Sequence, residues 1–137
     1  MGMPVFAAAV CFIALSNMDG QDAVRKVNFT VFKPNSAPIG YQLVRADVVA
    51  NGKAIRLTYL NRDSKNSFDL LETTANGSSA SQNIKSLINS GSTGVEITAD
   101  STFVTTRKGG TDVAFVGTLI SQPSAKKVVD SLVIWKK

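Results

Sequence analysis

The chain has 137 residues, with 15 lysines and arginines against 10 aspartates and glutamates, and no histidine. The missing imidazole removes the commonest general base and metal ligand, and the single cysteine, Cys11, excludes an internal disulfide and a cysteine-rich zinc site. This length predicts one domain with a real hydrophobic core, and the net charge of +5 comes without the interleaved basic and aromatic residues that nucleic-acid readers use.

Residues 4–15 read PVFAAAVCFIAL, with no charge before Asp19. A membrane span needs about 20 apolar residues, so this run is too short for one and fits the core of a secretory signal. Ala14-Leu15-Ser16 offers small residues for cleavage after Ser16. No lysine or arginine precedes the run, as in a signal or anchor helix that has lost its head; the alternative is a buried first helix or strand of the fold. Val10 before Cys11 does not fit a lipoprotein signal, and Phe6 stands where N-myristoylation wants serine or threonine. The expected organisation is a signal-like or truncated anchor segment over 1–16 and a single α+β domain over 17–137.

Residues 20–27, GQDAVRKV, predict a short helix capped by Asp19 or Asp22, and 28–32, NFTVF, a strand. In PNSAPIGY, 34–41, Pro34 and Pro38 preset φ and hold the preceding residues extended, and Gly40 allows a tight corner. Tyr41 then opens a hairpin with its ring over an edge of the core. That hairpin, 41–60, turns at Asn51-Gly52, the pair that a type I′ turn favours. The register places Val48 opposite Ile55, Ala46 opposite Leu57 and Val44 opposite Tyr59 on one apolar face. Asp47 faces Arg56 on the other as a surface ion pair.

Residues 67–75 predict a strand, 81–91 a short helix with Ile84, Leu87 and Ile88 on one face, and 94–98 another strand. A second hairpin, 101–120, turns at Gly109-Gly110 and pairs Arg107 with Asp112, Val104 with Phe115, Phe103 with Val116 and Thr105 with Ala114. Apolar residues on both of its faces call for a central place in the sheet or a helix on one side. Arg107-Lys108-Gly109-Gly110 lacks the spacing and following helix of a phosphate loop. Residues 121–135 predict a helix capped by Ser121, with Ala125, Val128, Val129 and Leu132 inward and Trp135 as a lid on the core. The fold class is α+β: a mainly antiparallel sheet built from the two hairpins, with short helices and a C-terminal helix packed on it.

Candidate chemistry is thin. Glu72 and Glu96 are the only glutamates, and nothing in the sequence brings them together as a glycosidase pair. Ser124 with Lys127, and Ser81 with Lys85, have the spacing that any polar helix face supplies. No catalytic, cofactor-binding or metal residue is assigned, and no cofactor is expected. Residues 25–65 carry eight lysines and arginines against Asp47 and Asp63, which reads either as a surface for an anionic envelope component or as an ordinary solvated basic face.

Five stretches together resemble an uncharacterised domain family of bacterial envelope proteins: DAVRKVNF (22–29), PNSAPIGY (34–41), IRLTYLN (55–61), VAFVGTLIS (113–121) and VVDSL (128–132). That family carries a Pro-x-x-Leu-Pro-x-Gly-Tyr corner between a short helix and strand and a closing hairpin and helix. Ala37 here replaces the leucine, and FVTTRK replaces an aromatic-rich strand. Family members often sit behind a membrane anchor, some beside anti-sigma-like or lipoprotein-carrier-like modules, and the family offers no catalytic residues. The resemblance, with the apolar start, implies a non-catalytic extracytoplasmic binding or sensing domain, secreted or membrane-anchored. Its partner would be an envelope protein or anionic envelope component. The alternative is a carrier or sensor of an apolar ligand such as a lipid or lipoprotein acyl chain.

Overall fold

A computed structural model describes residues 20–137; the apolar segment 4–15 and the cleavage position after Ser16 lie outside the described residues. The described chain opens with helix α1 (20–26). It continues through strands β1 (Phe32–Pro34), β2 (Tyr41–Val49), β3 (Ala54–Asn61) and β4 (Ser67–Thr74), then helix α2 (Ala80–Asn89). Strands β5 (Ser101–Lys108) and β6 (Thr111–Thr118), helix α3 (Gln122–Asp130) and strand β7 (Leu132–Ile134) complete it. Five strands form one antiparallel sheet in the order β2-β3-β4-β6-β5, and β1 pairs with β7 as a separate two-stranded ribbon. The α+β class, the antiparallel sheet of two hairpins and the C-terminal helix on it are as the sequence predicts.

Alternation along the strands sorts the core onto the two faces. Ile55, Leu57, Phe68, Leu70, Val113 and Phe115 point to the first face and pack against α1, α3 and β7. Tyr59, Phe68 and Phe115 stack in series, with centroids 4.8 and 4.5 Å apart. The second face carries Leu71, Ala114 and Val116 under Ile84 and Ile88 of α2. This is why the second hairpin is apolar on both sides: α3 contacts one face and α2 the other.

The second hairpin has the predicted register throughout. In the first, Asn51 and Gly52 take φ of 56° and 86° and the Lys53 amide donates to the Ala50 carbonyl, so the predicted turn forms. The pairing Val48↔Ile55, Asp47↔Arg56 and Ala46↔Leu57 also forms, but a β-bulge at Val44 moves Leu43 into the place opposite Tyr59 that Val44 was expected to fill. The Asp47–Arg56 ion pair does not form. Arg56 instead forks onto Asp69 of β4, at 3.1 and 3.2 Å, where Asp69 also accepts from the Thr58 hydroxyl at 2.6 Å. Asp47 pairs with Arg45 at 3.0 Å. The bidentate site on the less exposed carboxylate prevails over the cross-strand one.

Three other boundaries move. The first strand lies at Phe32–Pro34 rather than over 28–32, because its partner is the three-residue strand β7. Residues 94–98 are not a strand: Gly94 has φ of 74°, and the Thr93 hydroxyl takes the Val95 amide that a ladder would have used. A Cβ at position 94 would come within 2.8 Å of the Arg56 guanidinium. The last helix stops at Asp130 instead of continuing to Trp135. Ser131 caps it, and Leu132–Ile134 extend to cover β1. Trp135 still lies partly buried on the core, its indole N–H donating to Gln21 Oε1 at 3.1 Å.

A candidate docking end of the sheet

The strand register brings three turns to one end of the sheet: residues 38–40 before β2, 61–66 between β3 and β4, and 118–120 after β6. Tyr41 pairs with Asn61, Leu60 with Ser67, and Phe68 with Gly117. In the first turn the Tyr41 amide donates to the Pro38 carbonyl at 3.1 Å, and Gly40 supplies φ of 87°, the positive value required at the third position of a type II turn. A side chain at Gly40 would meet the Asn61 carboxamide at 2.9 Å. Tyr41 leans on Phe68, centroids 5.3 Å apart, as the sequence predicts for the residue that opens the hairpin. The result is a fixed corner with Ile39 at its tip, 98% exposed.

Asn61 fixes the neighbouring turn. Its Oδ1 accepts the Asp63 and Ser64 amides at 3.0 and 3.2 Å, and its Nδ2 reaches toward the Ile39 carbonyl at 3.4 Å. Exposed Arg62, Asp63 and Lys65 surround it. In the third turn Leu119 has φ of 59° and is 82% exposed. A bulky side chain at positive φ is uncommon and costs energy. The next residue explains how the turn is held: Ile120 packs into the first core, and its carbonyl accepts the Thr102 hydroxyl at 2.6 Å. A shallow open cleft beside Leu119 is lined by Thr98, Asp100, Thr102, Thr118 and Ile120.

The titratable groups with altered acidity lie elsewhere. Glu72 is fully buried on the first face of β4; its Oε1 accepts the Phe32 amide at 2.7 Å, and its Oε2 has no partner. Burial pushes its carboxyl well above the ordinary range, offset in part by the Phe32 bond. The Tyr59 phenol is pushed up too, by burial first and then by Glu72. Asp112, also fully buried, accepts from Arg107 at 2.6 and 3.0 Å and from Asn83 at 2.8 Å. The Arg107 hydrogen bonds hold its carboxyl below the usual range. Asn83 also donates to the Thr74 carbonyl, so this cluster fastens the start of α2 to the sheet.

The residues weighed as enzymic partners do not meet. Glu72 faces the α1 and α3 side, whereas Glu96 is exposed beside Ile88 of α2, across the sheet. Ser124 bonds to Ser121, and the Lys85 ammonium lies over the Phe103 ring. Among the described residues no group of three acidic, cysteine or histidine side chains could hold a metal, and no helix is long and apolar enough to cross a membrane. No protein-family model matches the chain, and no curated protein matches it either.

Sequence reasoning found the Pro34–Tyr41 corner but not the exposure of Ile39, which depends on where Asn61 lies. Leu119 left no sequence signal. Glu72 left one: it continues the inward alternation of Phe68 and Leu70 along β4.

Proposed function

We propose that this chain is a non-catalytic extracytoplasmic binding or sensing domain of the bacterial envelope, and that the Ile39–Leu119 end is its contact surface. The observation that carries the reading is the fixed presentation of Ile39: two prolines, a positive-φ glycine and the Asn61 side chain hold an aliphatic residue out of the core. Apolar anchors on preorganised turns lose little conformational freedom on binding. The apolar start and the five stretches that resemble the envelope family support the envelope location. Between the sheet and its helices the space is occupied by Phe68, Phe115, Ile84 and Ile88, which favours a contact surface over an internal carrier pocket.

The test is expression of the full chain with its native start in a secreting bacterium, followed by fractionation and intact mass. A product beginning at Asn17 outside the cytoplasm, or an uncleaved membrane-bound one, supports the reading. A full-length soluble cytosolic product overturns it. Envelope components retained by the wild-type chain but released by Ile39→Ser would tie binding to this end.

A further inference from the structure

We infer that the Ile39–Leu119 end rests on the lipid surface of the membrane, so that these two side chains orient a tethered domain by entering the interfacial layer. The inference rests on the envelope reading above, in its uncleaved, membrane-anchored form. Isolated exposed aliphatics are ordinary on protein surfaces. These two differ because each is 80% exposed or more, each is presented by a fixed backbone, and the register puts both at one end. They stand as separate tips with the polar 61–66 turn at the same end, which suits a layer of headgroups and acyl chains better than the continuous apolar centre of a protein interface.

The direction of α1 is a second, independent observation. Its last residue, Lys26, lines a cleft with Asn51 and Lys53 at the opposite end of the sheet. Its first, Gly20, lies beside Trp135 and Ala46, midway along β2. Gly20 is therefore the end of α1 nearer to Ile39. In the sequence only residues 16–19 separate it from the apolar run 4–15. A tether through that run would therefore join the domain at the end of α1 farther from the Asn51–Lys53 turn.

Charge does not set this contact. Arg62 and Lys65 are balanced at this end by Asp63 and Asp100, so apolar insertion is the orienting force. Two aliphatic side chains are too few to hold a domain on a bilayer, and the tether supplies the attachment.

The experiment uses the full chain in a Cys11→Ala background, with Ile39→Cys, Leu119→Cys or Lys53→Cys carrying an environment-sensitive nitrobenzoxadiazole label. All three positions are exposed, so labelling leaves the core intact, and far-UV circular dichroism checks this. Vesicles of mixed phosphatidylethanolamine and phosphatidylglycerol are added and floated. The expected result is a blue shift and severalfold brightening at 39 and 119, quenched by spin-labelled lipid, with none at 53. The same shift is expected with phosphatidylcholine alone; a shift confined to anionic vesicles overturns the apolar account. A chain that floats while all three labels stay in water overturns the inference but leaves the envelope reading standing. A chain that does not float overturns the inference directly. A lipid-free shift that grows with protein concentration makes a second copy the occupant and also overturns it.

Discussion

Glu72 is the sharpest place to perturb this fold. The carboxyl is wholly removed from water, one oxygen holds the Phe32 amide at 2.7 Å, and the other has no partner. Burial raises its pKa in the folded state above the unfolded value of about 4.3. A group with a raised folded pKa contributes stability that is fully present below its unfolded value and is lost as pH rises through the folded one. Between those two values the wild-type protein should lose about 1.4 kcal/mol per pH unit from this residue alone. Glu72→Gln retains an acceptor for Phe32 but cannot ionise. Its carboxamide N–H groups lack acceptors, at a cost of about 1–3 kcal/mol. The two stability curves therefore cross, the wild type leading in acid and the variant in alkali. Urea denaturation across a pH series measures this. Parallel curves would refute the reasoning, because they would mean that Glu72 titrates alike in the folded and unfolded chains.

Asp112 should act on the acid side. Its folded pKa is lowered by Arg107, so its contribution is present above an unfolded value of about 3.9 and disappears as pH falls through the folded one. Asp112→Ala leaves the Asn83 amide without that acceptor, at about 1–3 kcal/mol, and faster hydrogen exchange at the start of α2 would report the loosened helix. Gly40→Ala must hold φ of 87° and crowd the Asn61 carboxamide, so it should cost about 1–2 kcal/mol in chemical denaturation. Leu119→Gly removes a side chain from positive φ without emptying the core and should stabilise by about 0.5–1 kcal/mol. A lower melting temperature would mean instead that Leu119 packs.

The hairpins were legible because two constraints coincide in each. The turn dipeptide sets the register, and only that register keeps the apolar residues of 41–60 on one face. The Val44 bulge was not legible, since Leu43 and Val44 are both apolar and either can face the core. The end of α3 was illegible for a related reason. Leu132 continues the helical periodicity of Ala125, Val128 and Val129, and it is equally inward as the first residue of β7. What decides is the Phe32–Pro34 segment, which needs a strand beside it and lies about 100 residues away in sequence. Arg56 shows the same limit: its cross-strand neighbour was read correctly, yet the better acceptor came from the next strand over.

Two residues break a local rule, one in the core and one at the candidate docking end. Glu72 is an acid in a core position, and Leu119 is an aliphatic side chain on a left-handed backbone facing water. The two violations have different consequences. Glu72 is enclosed and already holds the amide that begins β1, so its cost is accounted for inside the fold, as an anchor for the strand and ribbon that cover the first face. Leu119 gains little burial in the isolated domain. Ile120 alone would suffice to close the core and receive the Thr102 hydroxyl. A shorter or more flexible residue at 119 would serve the fold as well or better, and Ile39 at the tip of its corner is in the same position. That is why the search for a contact belongs at this end of the sheet, and why the Leu119→Gly variant should gain stability while losing the surface that the domain presents.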